Sequence, residues 1–289
     1  MKLTALILAI GIIGSAHAQT VAVGEPSPNA PTQESIGLKA QVLLDRAHFG
    51  VGEIDGVVGS TTRAAVKFFQ QSRNLPITGK VDEATLAALE DGQPTLRSYT
   101  IVVGDVNASF GKAPKYRDSM EQLAEVLQTS PKLLKKLNPE STFAAGDVIQ
   151  TPQVGAPLSG KIAKIVVTTS QKSLMVYDGS GKLMAYYPTT LGNDGSIPYG
   201  NHTIKSATKN PDYRRVLPNG KAKAMTGGPN NYVGNMWMAL SKKHYGIHGS
   251  PEPSKIAKQQ SAGCIRLTNW DANEVAAAIV KNTKVQVQR

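Results

Sequence analysis

The chain has 289 residues, 32 Lys+Arg against 21 Asp+Glu, a formal charge of +11, and one cysteine. At roughly 100–200 residues per domain this length implies more than one domain. With 40% hydrophobic and 18% charged residues, packed cores are expected rather than wholesale disorder. One cysteine excludes an internal disulfide framework and any cysteine-cluster metal site, and the positive balance points to an acidic partner: nucleic acid, an anionic membrane or an anionic polymer.

The N-terminus narrows that choice. Lys2 precedes an apolar run over 3–13, and Ala16-His17-Ala18 forms a small-x-small site before Gln19. That layout predicts a secretory signal peptide over residues 1–18. The run is shorter than the about 20 residues a membrane span needs, so no transmembrane span is expected; the alternative is an uncleaved anchor. Export would place the mature chain in the periplasm or cell wall and sets nucleic acid aside as a partner. In an exported protein a single thiol is either a buried small hydrophobe or a reactive group.

Residues 19–32, with Pro26, Pro28 and Pro31, read as a flexible linker. Residues 33–92 read as a compact helical unit. Ile36, Ala40, Leu43, Leu44 and Ala47 recur at helical spacing, as do Ala65, Phe68, Phe69 and Ser72. Ile54-Asp55-Gly56-Val57 is echoed 23 residues later by Ile77-Thr78-Gly79-Lys80-Val81, each copy a glycine turn before a helix start near Thr61 or Asp82. This half-repeat resembles the three-helix peptidoglycan-binding module of cell-wall enzymes, which implies contact with glycan. Packing alone accounts equally well for its apolar positions.

Residues 97–153 form a second unit. A strand is expected over 99–103, ending at Gly104-Asp105, followed by a helix over 120–127 and another from Pro131 with Ser130 as N-cap. A strand over 145–149 closes the unit. The strand–helix–helix–strand order is similar to a LysM glycan-binding module, although the stretch 107–117 is longer than the usual loop of that family.

From Lys161 the texture changes to strands over 162–169, Ser173–Tyr177 and 182–187, with Asp178-Gly179-Ser180-Gly181 as a turn. Thr268-x-x-Asp271 opens a helix over 270–280, and 284–287 returns to strand. This segment holds 18 of the 32 Lys+Arg and only 6 of the 21 Asp+Glu. The basicity therefore belongs to it, suits a carboxylate-bearing partner and favours thiolate over thiol.

Its chemistry concentrates in two motifs. The sole cysteine sits in Ser261-Ala262-Gly263-Cys264-Ile265-Arg266, and sixteen residues before it lies His248 in His248-Gly249-Ser250. A thiol with a pKa of about 8.5 is mostly protonated at neutral pH, and a neighbouring imidazole can take its proton. The amides of Gly263 and Cys264 could face a developing oxyanion. If the segment is extended, Arg266 shares a face with Cys264 and could hold a substrate carboxylate or pair with an internal acid. His48, His202 and His244 lack an accompanying pattern and read as structural.

Residues 161–289 resemble the YkuD-type catalytic domain of L,D-transpeptidases, whose pattern is His-Gly-Thr/Ser followed by Ser-x-Gly-Cys-Ile/Val-Arg. Thr190-Leu191-Gly192 and Pro198-x-Gly200 also fit, while Ala262 and Ile197 depart from the usual residues. The resemblance implies a multidomain α+β chain: a small three-helix module, a LysM-like βααβ module and a β-rich, sandwich-like catalytic domain. It implies that Cys264 forms a thioester with the third residue of a peptidoglycan tetrapeptide stem and releases D-Ala. His248 would serve as base and the Gly249 carbonyl would orient it, with no metal or organic cofactor. The segment 209–237 corresponds to a lid, with Tyr232 and Trp237 as lining residues, and Ser261, Ser250, Gly263 and Arg266 as oxyanion or substrate contacts. The acyl acceptor stays open: another stem peptide, a wall-attached protein, or water, which would make the enzyme an L,D-carboxypeptidase. A non-catalytic wall-binding scaffold is the alternative of a different class.

Overall fold

The computed structural model describes residues 35–107, 116–216, 222–259 and 263–289. The expected signal peptide and linker, Ser261, Ala262 and part of the lid segment lie outside the described residues.

Ser35 opens α1 (Ile36–Arg46) by accepting a hydrogen bond from the Leu38 amide. α2 (Ser60–Ser72) and α3 (Glu83–Leu89) complete the helical unit, with Asp82 capping α3 through the Thr85 amide. Leu38, Val42, Leu43, Ala65, Val66, Phe69 and Leu89 bury one apolar cluster between them. The two related glycine turns each wrap around a buried glutamine. Gln41 donates to Asp55, the Val57 carbonyl and Thr62, and accepts from the Asp55 and Gly56 amides. Gln70 donates to Thr78, the Lys80 carbonyl and Thr85, and accepts from the Gly79 amide. The half-repeat is thus a repeated polar plug that satisfies loop groups hidden from water.

β1 (Leu96–Thr100) and β2 (Val148–Pro152) pair antiparallel around α4 (Val103–Val106), α5 (Ser119–Val126) and α6 (Pro131–Leu137). Two expectations need correction here. The first strand stops at Thr100, because the buried Asp105 carboxylate accepts from the Val102 amide at 3.0 Å and the Tyr99 hydroxyl at 2.7 Å, turning 103–106 into helix. The closing strand starts only at Val148, because Asp147 gathers Ser141, Thr142 and the Ala144 amide into a turn before it. Ser130 caps α6 as its sequence predicts.

The remainder builds one curved sheet. β3 (Ile162–Thr168), β4 (Ser173–Tyr177) and β5 (Leu183–Pro188) form an antiparallel meander, joined on its other side by β12 (Ile279–Gln288), which runs parallel to β3. β6 (Gly200–Lys209) changes partner midway. Its start pairs with β12, and from Ile204 onward it pairs with β9 (Met236–Leu240), with a register shift between Ile204 and Ser206. Such an irregularity bends a strand and turns the sheet. β10 (Gly246–His248) and the two-residue β11 (Ile265–Arg266) complete the order β11-β10-β9-β6-β12-β3-β4-β5. β7 (Tyr213–Val216) and β8 (Ala222–Met225) form a separate hairpin. α7 (Asn269–Ala278), capped by Thr268, runs directly into β12, so the last strand is longer than its sequence predicts. Ile165, Val167, Val176, Ile204, Met238, Ile247, Ile265, Val275 and Val285 share the main core.

The helical unit docks on this sheet. At the β5 edge, Tyr186 enters the helical unit, stacking on Phe68 at 4.5 Å, while its amide and carbonyl pair with the His48 carbonyl and Gly50 amide. That contact covers a strand edge that would otherwise offer unpaired backbone groups.

Candidate active site

The opposite end of the sheet, β9-β10-β11, carries the two motifs. Ile247 faces the core, so strand alternation sends Gly246 and His248 to the other face. β11 lies parallel to β10 with His248 opposite Arg266 and Ile247 opposite Ile265, which brings Cys264 level with Gly246. The Gly246 amide faces the Cys264 thiol. Two segments sixteen residues apart in sequence therefore present Cys264, His248 and Arg266 on one surface. On the far side of β10, Trp237 is paired with His248 and its ring stacks on the imidazole at 5.4 Å between centroids.

The same ring explains Gly246. A Cβ there would lie 2.6 Å from the Trp237 indole, so no larger residue fits beneath it. Gly263 is constrained differently: its φ is +122°, and an added Cβ would lie 2.6 Å from the Ser196 carbonyl oxygen. The chain just before Cys264 is therefore held in a conformation that L side chains rarely adopt.

His248 is only 2% exposed. Its Nδ1 lies 2.7 Å from the Gly249 carbonyl oxygen. A carbonyl can only accept, so the proton sits on Nδ1 and the lone pair on Nε2. Burial pushes the imidazole pKa down to about 4, helped by the Arg266 charge, against the carbonyls of Gly249 and Val233. Cys264 is half-buried. Burial pushes its thiol pKa up, against the Gly246 amide and Arg266. The expectation that local basicity favours a thiolate is corrected by this balance, since desolvation outweighs the one nearby cation. At neutral pH the resting pair is thiol and neutral imidazole.

These groups line a cavity of about 230 Å³ together with Tyr213, Tyr232, Val233, Trp237 and His244. Tyr232 is exposed at the rim, edge-on to Tyr213 at 6.2 Å. The Nε of Arg266 is buried with no hydrogen-bond partner among the described residues, and none of the ion pairs found there involves Arg266. An anion entering the cavity would meet an unused donor. Ser250 does not line the cavity; it is buried, and its Oγ accepts from the Glu252 amide. Ser261 lies outside the described residues. Among those described, no group of three His, Cys, Asp or Glu side chains could hold a metal ion, and no helix is long and apolar enough to cross a membrane.

Of the histidines read as structural, His48 contacts Glu274 at 3.3 Å and His202 reaches the Pro198 carbonyl. His244 differs, being exposed at the cavity. Sequence reasoning also missed Tyr213, Val233 and Asn231. Asn231 donates to the carbonyls of Pro211, Met225 and Thr226 and so fixes the loop that carries Tyr232 and Val233. None of these lies beside Cys264 or His248 in sequence, so no local signal marks them.

The model of the L,D-transpeptidase catalytic domain (YkuD) matches residues 163–287, and that of the "Putative peptidoglycan binding domain" matches residues 38–89. A Bacillus licheniformis protein named "Putative L,D-transpeptidase YkuD" is 30% identical over 174 residues, covering 59% of this chain and 93% of that protein. Its Bacillus subtilis (strain 168) namesake is 30% identical over 178 residues, covering 61% and 96%. Among solved structures, an L,D-transpeptidase from Xylanimonas cellulosilytica aligns over 91% of this chain and 100% of that one, at 16% identity and a TM-score of 0.43. On the strength of the sequence matches, the chain belongs to the YkuD family of L,D-transpeptidases and is a cell-wall transpeptidase with an N-terminal peptidoglycan-binding domain.

Proposed function

We propose that Cys264 carries the acyl group in a peptidoglycan transpeptidation with His248 as its base. The observation behind this reading is the shared face of β10 and β11, which gathers Cys264, His248 and Arg266 into one cavity. As the thiol sulfur bonds to the carbonyl carbon of the third stem residue, its proton passes to Nε2 of His248. The tetrahedral oxyanion faces the amides of Gly263 and Cys264. Collapse breaks the peptide bond to D-Ala, whose nitrogen leaves with the proton from His248. An amine then attacks the thioester, yields a proton to His248, and Cys264 recovers it as thiolate is released. The Gly249 carbonyl holds Nδ1 throughout, the orienting role a carboxylate plays in serine triads. The unused Arg266 Nε suits a stem carboxylate, and Trp237 and Tyr232 wall the donor.

The domain reading accompanies this. Residues 1–18 act as signal peptide, 19–32 as linker, 33–92 as peptidoglycan-binding domain, 97–153 as a divergent LysM-like domain and 161–289 as catalytic domain, acting in the periplasm or cell wall. Holding the enzyme on its polymer raises the local concentration of stem peptides. The acceptor is an amine of a second stem or of a wall-attached protein. Incubation of the purified protein with disaccharide-tetrapeptide, read by mass spectrometry, tests the acceptor. A cross-linked dimer that loses one D-Ala is expected; tripeptide alone would replace the amine by water.

A further inference from the structure

Tyr232 and Val233 wall the cavity from a loop over 226–235 that has little apolar surface to hold it; Gly227, Gly228, Asn230, Asn231, Gly234 and Asn235 make up most of it. Its placement depends on hydrogen bonds. Some are internal to the domain, through Asn231. Others come from the preceding unit. Glu121 on α5 accepts from Asn230 Nδ2 at 3.0 Å. One turn further along the same helix, the Glu125 carboxylate accepts from Asn269 Nδ2 at 3.0 and 3.1 Å.

Asn269 is the hub of this arrangement. It is 1% exposed, and every polar position of its amide is used. Nδ2 also donates to the Pro229 carbonyl at 3.2 Å, and Oδ1 accepts from the Asn235 amide at 3.1 Å, so the middle and the end of the loop are tied to one side chain. The same Oδ1 packs against Gly234 and Gly249, where an added Cβ would lie 2.1 and 2.2 Å away. Gly249 in turn holds His248 Nδ1. The route Glu125–Asn269–Gly249–His248 thus runs from another folding unit to the proposed base through contacts at hydrogen-bond or van der Waals distance. Glu121 is itself anchored by Arg117, which donates from Nε at 2.7 Å. Burial works against the Glu121 charge but Arg117 outweighs it and holds the carboxyl low, so its bond to Asn230 is charge-assisted, among the stronger polar contacts available to a loop.

We propose that Glu121 and Glu125 of the 97–153 unit are positioning residues for catalysis, clamping the donor-side loop over 226–235 through Asn230 and Asn269. This rests on Cys264 and His248 being the reacting pair. The unit is then part of the working active site as well as a glycan-type module. Displacement of the loop by about 1 Å is enough to cost roughly a hundredfold in rate.

The experiment compares the full-length wild-type protein with Glu125→Ala, Glu121→Ala/Glu125→Ala and the conservative Glu125→Gln, which keeps one acceptor for Asn269. Three readings are taken: kcat/KM for disaccharide-tetrapeptide, the alkylation rate of Cys264 by iodoacetamide, and amide hydrogen exchange across 228–236. The expected result is a roughly ten- to hundredfold fall in kcat/KM for the alanine variants, faster exchange confined to 228–236, and alkylation within about twofold of wild type. Glu125→Gln should recover most of the loss. Unchanged exchange and kcat/KM in the double variant would overturn the proposal, as would faster exchange throughout the catalytic domain with a matching fall in thermal midpoint. Exchange does not depend on turnover. A wild-type protein inactive on the tetrapeptide, but with 228–236 loosened in the variants, would therefore uphold the clamp while removing the proposed reaction.

Discussion

Whether the proposed nucleophile rests as thiol or thiolate is decided by a handful of groups around Cys264 and His248. Burial lowers the imidazole to about 4 and raises the thiol, and Arg266 opposes the second shift while reinforcing the first. A resting ion pair is therefore disfavoured on both sides, which in the proposed reaction suits a proton transfer that accompanies attack instead of preceding it. The expected pH profile follows from those directions. Tetrapeptide turnover should lose its base only as pH falls toward about 4, where His248 protonates. Iodoacetamide alkylation of Cys264, which reports thiolate, should keep rising above pH 9. An alkylation plateau near neutrality would mean a preformed thiolate. Both candidates stand out in the sequence because a thiol acyl transfer would restrict residue type and neighbours over a few positions. His244, Tyr213 and Val233 do not, since they reach the cavity from two loops and the start of the β7–β8 hairpin, whose course depends on the whole sheet.

Among the elements, the helical half-repeat shows where sequence patterns stop short. Its glycine turns are visible because glycine punctuates local structure, but the paired glutamines carry no period and look like ordinary surface residues. Gln70 is fully buried and serves four partners in the second turn. Gln70→Ala would leave the Gly79 amide and neighbouring hydroxyls without a partner, costing roughly 2–4 kcal/mol. Urea unfolding would measure this, and a change below about 0.5 kcal/mol would show that water replaces the plug. The misread strand over 99–103 has a related cause: Asp105 redirects the Val102 amide, a side-chain capture that β-propensity does not weigh.

At the scale of the molecule, the helical unit, the 97–153 unit and the catalytic sheet share interfaces that bury carboxyl groups. Burial pushes Asp45 up to about 6 and Glu53 and Glu125 up to about 7. His48 is also raised, chiefly by its hydrogen bond with Glu274. Each binds more protons in the folded chain than in the unfolded one. Their contribution is present below the unfolded pKa values of 3.8, 4.5 and 6.5 and is lost as pH rises through the folded ones. His248 acts in the opposite sense between about 4 and 6.5 but is outnumbered. The thermal midpoint should therefore be a few degrees higher near pH 5 than near pH 7.5, and Asp45→Asn should flatten that slope. A midpoint that rises across the same interval would contradict the buried-carboxyl account. That a peptidoglycan-binding domain precedes the catalytic domain was readable from motifs. Tyr186 filling the helical unit and α5 reaching the active-site loop were not, because contacts between units leave no period within either.

Intact-mass measurement during reaction with disaccharide-tetrapeptide tests whether Cys264 carries the acyl group. An adduct of the donor less D-Ala is expected, mapped to Cys264 and absent in Cys264→Ala together with all D-Ala release. Release of D-Ala by Cys264→Ala, or an adduct mapped to any other residue, would contradict it.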